Sequence, residues 1–165
     1  MQLDMLVMPL LRAPLFMDMT TAQLKTLALG AERVSFRAGE ALITEGEAGD
    51  AAFLIVNGEV SVTAGAAEID PSARLGMGTL VGEMAMLVDT VHSTTVMAQS
   101  AVRALMFTRA GLEALMVSEP TIADHIGRRI QDRVDDLVNT LQRVSALLRL
   151  EESVGKDTAS LEAVH

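Results

Sequence analysis

The sequence predicts an α+β domain that is mainly β: an antiparallel β-roll or jelly roll set between N-terminal helices and a long C-terminal helix. Three observations carry this reading. Apolar residues recur at helical spacing up to Gly30, alternate in short runs from Glu32 to Phe107, and return to helical spacing afterwards. Turn signals interrupt the middle zone at short intervals, as in all-β rolls and barrels. The chain has 165 residues, about one domain's length, and half of them are apolar, which excludes wholesale disorder.

The first zone, residues 1–30, places Leu10, Leu11, Leu15 and Phe16 around Pro9 and Pro14, the pattern of a broken helix. Thr20 with Gln23 three residues on makes a capping box ahead of Leu24, Leu27 and Leu29, and Gly30 is the stop. In the second zone, residues 31–107, Val34 and Phe36 alternate with Ser35 and Arg37, and Val60 and Val62 with Ser61 and Thr63. Ala52–Val56, Thr94–Ala98 and Val102–Phe107 are further strands. Between them fall Ala38-Gly39, Glu45-Gly46, Gly49-Asp50, Asn57-Gly58, Gly65, Asp70-Pro71 and Gly76-Met77-Gly78. Asn57-Gly58 predicts a tight hairpin, because such a turn needs positive φ at its centre.

The third zone, residues 108–150, is helical. Thr108 caps a helix through Val117, and Pro120 suits the first turn of the next, expected from Thr121 to Leu150. Ile130, Val134, Leu137, Leu141, Val144 and Leu148 are spaced alternately four and three apart, a heptad seam. Its apolar face is expected to pack on the β-roll or on a second copy of the chain, with a homodimer preferred. Residues 151–165 lack the pattern and are expected to be a flexible tail.

Composition narrows function. Thirteen Lys and Arg against 22 Asp and Glu leave a net charge of −9, and residues 31–120 carry −7 of it, with five basic and 12 acidic side chains. Nucleic acid is thereby excluded as a partner, since counterion release needs clustered basic residues. The core is aliphatic and Met-rich, with 11 Met, four Phe and no Trp or Tyr. Without cysteine there are no disulfides, thiolate metal sites or Cys nucleophiles. The longest uncharged run, Thr90 to Val102, has 13 residues, short of the roughly 18 a spanning helix needs. Asp4 and Arg12 spoil any signal peptide. No membrane association is expected, and the location implied is cytoplasmic. His92, His125 and His165 stand apart, which argues against a metal centre, and no nucleophile–base motif is present. Catalysis is not expected, and no cofactor is implied.

The stretch Phe36-Arg-Ala-Gly-Glu-Ala-Leu-Ile-Thr-Glu-Gly-Glu-Ala-Gly-Asp50, with Phe53-Leu-Ile-Val-Asn-Gly-Glu-Val-Ser-Val62, resembles the opening strands of the cyclic nucleotide-binding domain family. Val81-Gly-Glu-Met-Ala-Met-Leu-Val-Asp-Thr-Val-His-Ser-Thr-Thr-Val96 resembles that family's phosphate-binding cassette, at residues 81–96. The resemblance runs from about Leu10 to Leu137 and adds a short cassette helix to the architecture. It implies a ligand site of Gly82, Glu83, Met84, Ala85, Met86, His92, Ser93 and Thr94. Glu83 would accept from the ribose 2′-hydroxyl, and the Ala85 and Met86 N–H groups would meet the cyclic phosphate of cAMP or cGMP. The chemistry is sound, because a helical turn starting near Gly82 aims unpaired N–H groups and a positive dipole end at an anion. Glu83 could equally serve its own helix N-terminus.

One position departs from the family. The cassette normally carries Pro-Arg where this chain has Val91 and His92, followed by Ser93 and Thr94. An Arg brings a permanent charge and a rigid fork matched to two phosphate oxygens; imidazole titrates near pH 6.5 and offers one donor in that direction. Losing a charge-assisted bond of about 1.5–3 kcal/mol weakens binding roughly ten- to a hundredfold. His92 is therefore a weaker, pH-sensitive phosphate donor, a relic in a pocket without nucleotide, or part of a pocket retuned for another anion. Arg74, Arg128 or Arg129 could restore the charge; solvated surface is their simpler role.

In catabolite activator proteins this domain precedes a helix-turn-helix; with 15 residues after Leu150, none is expected here. The expectation is a stand-alone bacterial-type sensor domain that relays cyclic nucleotide binding through its last helix to a protein partner. The alternative is a ligand-free relative acting as a constitutive dimerisation module.

Overall fold

The computed structural model describes the backbone of residues 3–65, 67–68 and 75–162, and the side chains of residues 5–65 and 75–156. It divides into two compact units, residues 1–126 and 127–165. The first unit opens with α1 (Leu3–Arg12), a 3-10 turn at Pro14–Phe16, and α2 (Thr21–Gly30). Pro9 lies inside α1 without ending it; the helix ends ahead of Pro14, whose fixed φ suits the start of a new turn. The capping box forms as expected. The Gln23 N–H donates to Thr20 Oγ1 at 3.2 Å, and the Thr20 N–H donates to Gln23 Oε1 at 2.9 Å.

Ten strands follow among the described residues: β1 (Glu32–Phe36), β2 (Ala41–Ile43), β3 (Ala48–Gly49), β4 (Ala51–Asn57), β5 (Val60–Ala64), β6 (Ala67–Glu68), β7 (Leu80–Val81), β8 (Thr90–Val91), β9 (Thr95–Ala98) and β10 (Val102–Thr108). A single-turn helix, α3 (Glu83–Leu87), stands between β7 and β8. One sheet has the order β1-β10-β4-β7, a second β2-β9-β5-β6, and β3 pairs with β8 alone. All the pairings are antiparallel. Phe53, Ile55, Val102 and Ala104 from the first sheet meet Leu42, Ile43, Val60 and Val96 from the second in one core. Phe36 packs edge-on against Phe53, with ring centroids 5.6 Å apart.

The unbroken apolar run of β4 has a physical reason. Phe53 and Ile55 join the roll core, while Ala52 and Leu54 point to the opposite face, where α1 packs. A strand buried on both sides has no polar face to alternate with.

Two expectations need correction. Asn57-Gly58 does not close a hairpin: β4 pairs with β10 and β7, β5 with β9 and β6, so the chain changes sheet here. Gly58 does take positive φ, +98°, and a side chain there would strike the Ala101 carbonyl and Val102. The dipeptide reports a backbone conformation and says nothing about which strands pair. The tail expected to be flexible from Glu151 is instead helical through Glu162, as part of α5 (Pro120–Glu162). Glu, Lys, Ala and Leu there are good helix formers, and an established helix extends one residue at a time across the single Gly155.

Thr108 caps α4 (Arg109–Ser118), its Oγ1 accepting from the Gly111 N–H at 3.0 Å. The first turns of α5 bury Ile122, His125 and Ile126. In the second unit α5 continues with Val134, Leu137, Leu141, Val144 and Leu148 all exposed, and Val138 and Leu147 widen the stripe. No helix among the described residues is long and apolar enough to cross a membrane. Asp70-Pro71, Arg74 and His165 lie outside the described residues.

Candidate functional site

The structure places Gly82 at the head of α3 and the His92 ring beside that turn. Gly82 caps that helix with φ +71° and ψ +24°, a left-handed conformation that L side chains rarely adopt. Space forbids a side chain as well: a Cβ at Gly82 would lie 2.7 Å from Ile43 Cδ1 and 3.2 Å from the Ala51 carbonyl oxygen. Two independent constraints thus require glycine where the chain turns from β7 into α3.

Within α3, Ala85 and Met86 are buried, each 1% exposed, and anchor the turn to the roll. Glu83 is half-buried and Met84 is exposed. The Ala85 N–H already donates to the Gly82 carbonyl at 3.0 Å, so an anion would share that donor in a three-centre bond.

His92 follows β8 and is held by its backbone. Its N–H donates to the Glu47 carbonyl at 2.9 Å, and its carbonyl accepts from the Gly46 N–H at 2.9 Å. These bonds extend the β3–β8 ladder, in which Ala48 pairs with Val91 and Gly49 with Thr90. The imidazole consequently turns into the cassette. A Cβ added at Gly49 would lie 2.7 Å from His92 Cε1, from His92 Nε2 and from the Ala85 Cβ. His92 Cε1 is also 3.6 Å from the position a Gly82 Cβ would take. The ring therefore sits on bare glycine backbone beside α3. Ser93 is exposed and Thr94 half-buried, and neither hydroxyl makes a hydrogen bond among the described residues.

Gly49 is the site residue that sequence reading passed over as an ordinary turn signal. Its neighbour Asp50 and the segment just after α3 are tied to α4: the Arg109 N–H donates to the Asp50 carbonyl at 2.7 Å, and Arg109 Nη1 lies 3.8 Å from Asp89 Oδ1. That ion pair is too long for a hydrogen bond, and Asp89 is 93% exposed, so it links the two elements weakly. Arg128 and Arg129 belong to the second unit. No group of three or more His, Cys, Asp or Glu among the described residues could hold a metal ion.

A family model for the cyclic nucleotide-binding domain matches residues 33–119. The chain is 32% identical over 120 residues to a cyclic nucleotide-gated potassium channel of Rhizobium etli, covering 73% of this chain and 33% of the channel. It is 32% identical over 113 residues to a cAMP-dependent protein kinase regulatory subunit of Yarrowia lipolytica, covering 68% of this chain and 29% of the subunit. The chain thus spans about a third of the length of these relatives. A cyclic nucleotide-binding domain from Methylobacillus flagellatus shares the fold, with a TM-score of 0.67 at 23% identity, covering 81% of this chain and 76% of that one.

Proposed function

The chain belongs to the cyclic nucleotide-binding domain family, and from that premise we propose that it is a cytoplasmic sensor of cAMP or cGMP. It acts by binding rather than by catalysis. The observation that carries the reading is the cassette itself: a glycine-capped turn of helix with an imidazole turned into it. The cyclic phosphate lies against the α3 N–H groups, with His92 and the Ser93 and Thr94 hydroxyls as further donors. Glu83 accepts from the ribose. The spare hydroxyls of Ser93 and Thr94 and the inward ring of His92 support this placement.

Ligand would favour one position of α3, and α4, packed beside it and linked through Asp89–Arg109, would follow. A relay of this kind needs only a difference in ligand affinity between two arrangements. Its output is a protein partner and a homodimer seam formed by the exposed stripe of α5. Sedimentation at the mass of a monomer would contradict the homodimer.

The second reading, a ligand-free dimerisation module, draws on the same His92, which replaces the family's arginine and occupies the floor above Gly49. A thermal shift assay with cAMP and cGMP up to millimolar tests the sensor, because a ligand held by the native state raises the melting temperature. The sensor predicts a shift in the natural protein and a larger one in His92→Arg. A shift seen only in His92→Arg would establish the ligand-free reading.

A further inference from the structure

We propose a second anion site, on the sheet face remote from the roll core, that takes a small phosphate monoester with an apolar or aromatic body. The register sets it up. Arg33 of β1 pairs with Leu105 of β10, and Ser35 with Arg103, so these four side chains share one face. Val34 and Ala104, between them, face the roll core. Arg33 and Arg103 are then diagonal neighbours, about 7–8 Å apart across the ladder.

The pairing of β10 with β4 breaks beside Arg103: Asn57 is opposite Arg103 and Ile55 is opposite Ala104, leaving Val56 as the extra residue of a bulge. Bulges re-aim side chains and open the ladder, and they are frequent next to binding sites. Here a cavity of about 290 Å³ opens, lined by Leu6 of α1 together with Arg33, Ser35, Val56, Arg103 and Leu105.

Its chemistry selects the ligand. Among the described residues neither guanidinium makes a hydrogen bond or ion pair, and the Ser35 hydroxyl is likewise unbonded. This happens in a stretch that carries 12 acidic side chains, and among the described residues none of them pairs with Arg33 or Arg103. Two exposed arginines and an exposed serine line a cavity whose other lining includes the apolar Leu6, Val56 and Leu105. Two guanidinium forks match a phosphate monoester, which is close to a dianion at neutral pH, and the half-buried Val56 offers an apolar contact for its organic group. A cyclic phosphodiester, a monoanion, satisfies only half of that charge. The site rests on residues outside the cassette, so it stands or falls independently of the sensor reading.

Phenyl phosphate is the probe, titrated into the full ¹⁵N-labelled chain. The expected result is a saturable shift of the Arg33, Ser35, Val56 and Arg103 amides, and no saturable shift with benzyl alcohol. Affinity should fall at least tenfold in Arg33→Gln/Arg103→Gln, whose melting temperature and cAMP response stay those of the parent; single Arg103→Gln provides the same reading with less perturbation. Phosphatidylcholine vesicles with and without phosphatidic acid form the second arm. Binding to the acidic vesicles alone would replace the soluble ligand with a lipid headgroup and overturn the proposal. Shifts confined to residues 82–94, or an unchanged affinity in both variants, would overturn it as well.

Discussion

Residues 3–126 and the helix beyond them use the same apolar residues to opposite ends. In the roll, Leu54 and Ile55 are 0% and Leu105 is 1% exposed; on the helix, Leu137 is 59%, Leu141 58% and Leu148 56% exposed. An apolar side chain stabilises only what removes it from water, at roughly 25 cal/mol per Å². The roll leucines therefore stabilise their own chain, whereas the helical leucines stabilise only an assembly that covers them. The first kind of effect is independent of protein concentration and the second depends on it.

Leu54→Ala gives the sharpest contrast. Removing a fully buried leucine from a strand packed on both faces should lower the unfolding free energy by about 2–5 kcal/mol in urea titration, equally at all protein concentrations. Leu141→Ala should leave folding of the roll intact and weaken self-association by about 3 kcal/mol, roughly a hundredfold in the dimer constant by sedimentation. If Leu141→Ala instead destabilised the monomer as Leu54→Ala does, the distinction between the two regions would fail. Gly49→Ala should come next. The added methyl meets His92 and Ala85, an overpacking that costs about 1–3 kcal/mol, and it should weaken ligand binding more than it lowers the melting temperature. Thr20→Ala should have the smallest effect, about 1 kcal/mol by thermal melting, for loss of the two capping-box bonds.

What was legible in the sequence follows local physics. The capping box at Thr20, the Thr108 cap, and the five longer strands β1, β4, β5, β9 and β10 all announce themselves within a few residues. The two-residue strands β3, β6, β7 and β8 were not legible, because two residues carry no period. Nor was the pairing of β1 with β10, first strand with last, which no local pattern encodes. The same divide runs through the site. Gly82 and Glu83 stand in a contiguous motif, whereas the seat of His92 on Gly49 depends on the ladder that joins β3 to β8. The arginine cavity was invisible for the same reason, since α1, β1, β4 and β10 each contribute to it.

His92 is where the account is most exposed to test. Titration calorimetry of the natural chain with cAMP and with cGMP, at pH 6 and at pH 7.5, addresses it directly. Saturable heat is predicted at both pH values. Absence of heat at millimolar ligand at either pH would contradict it.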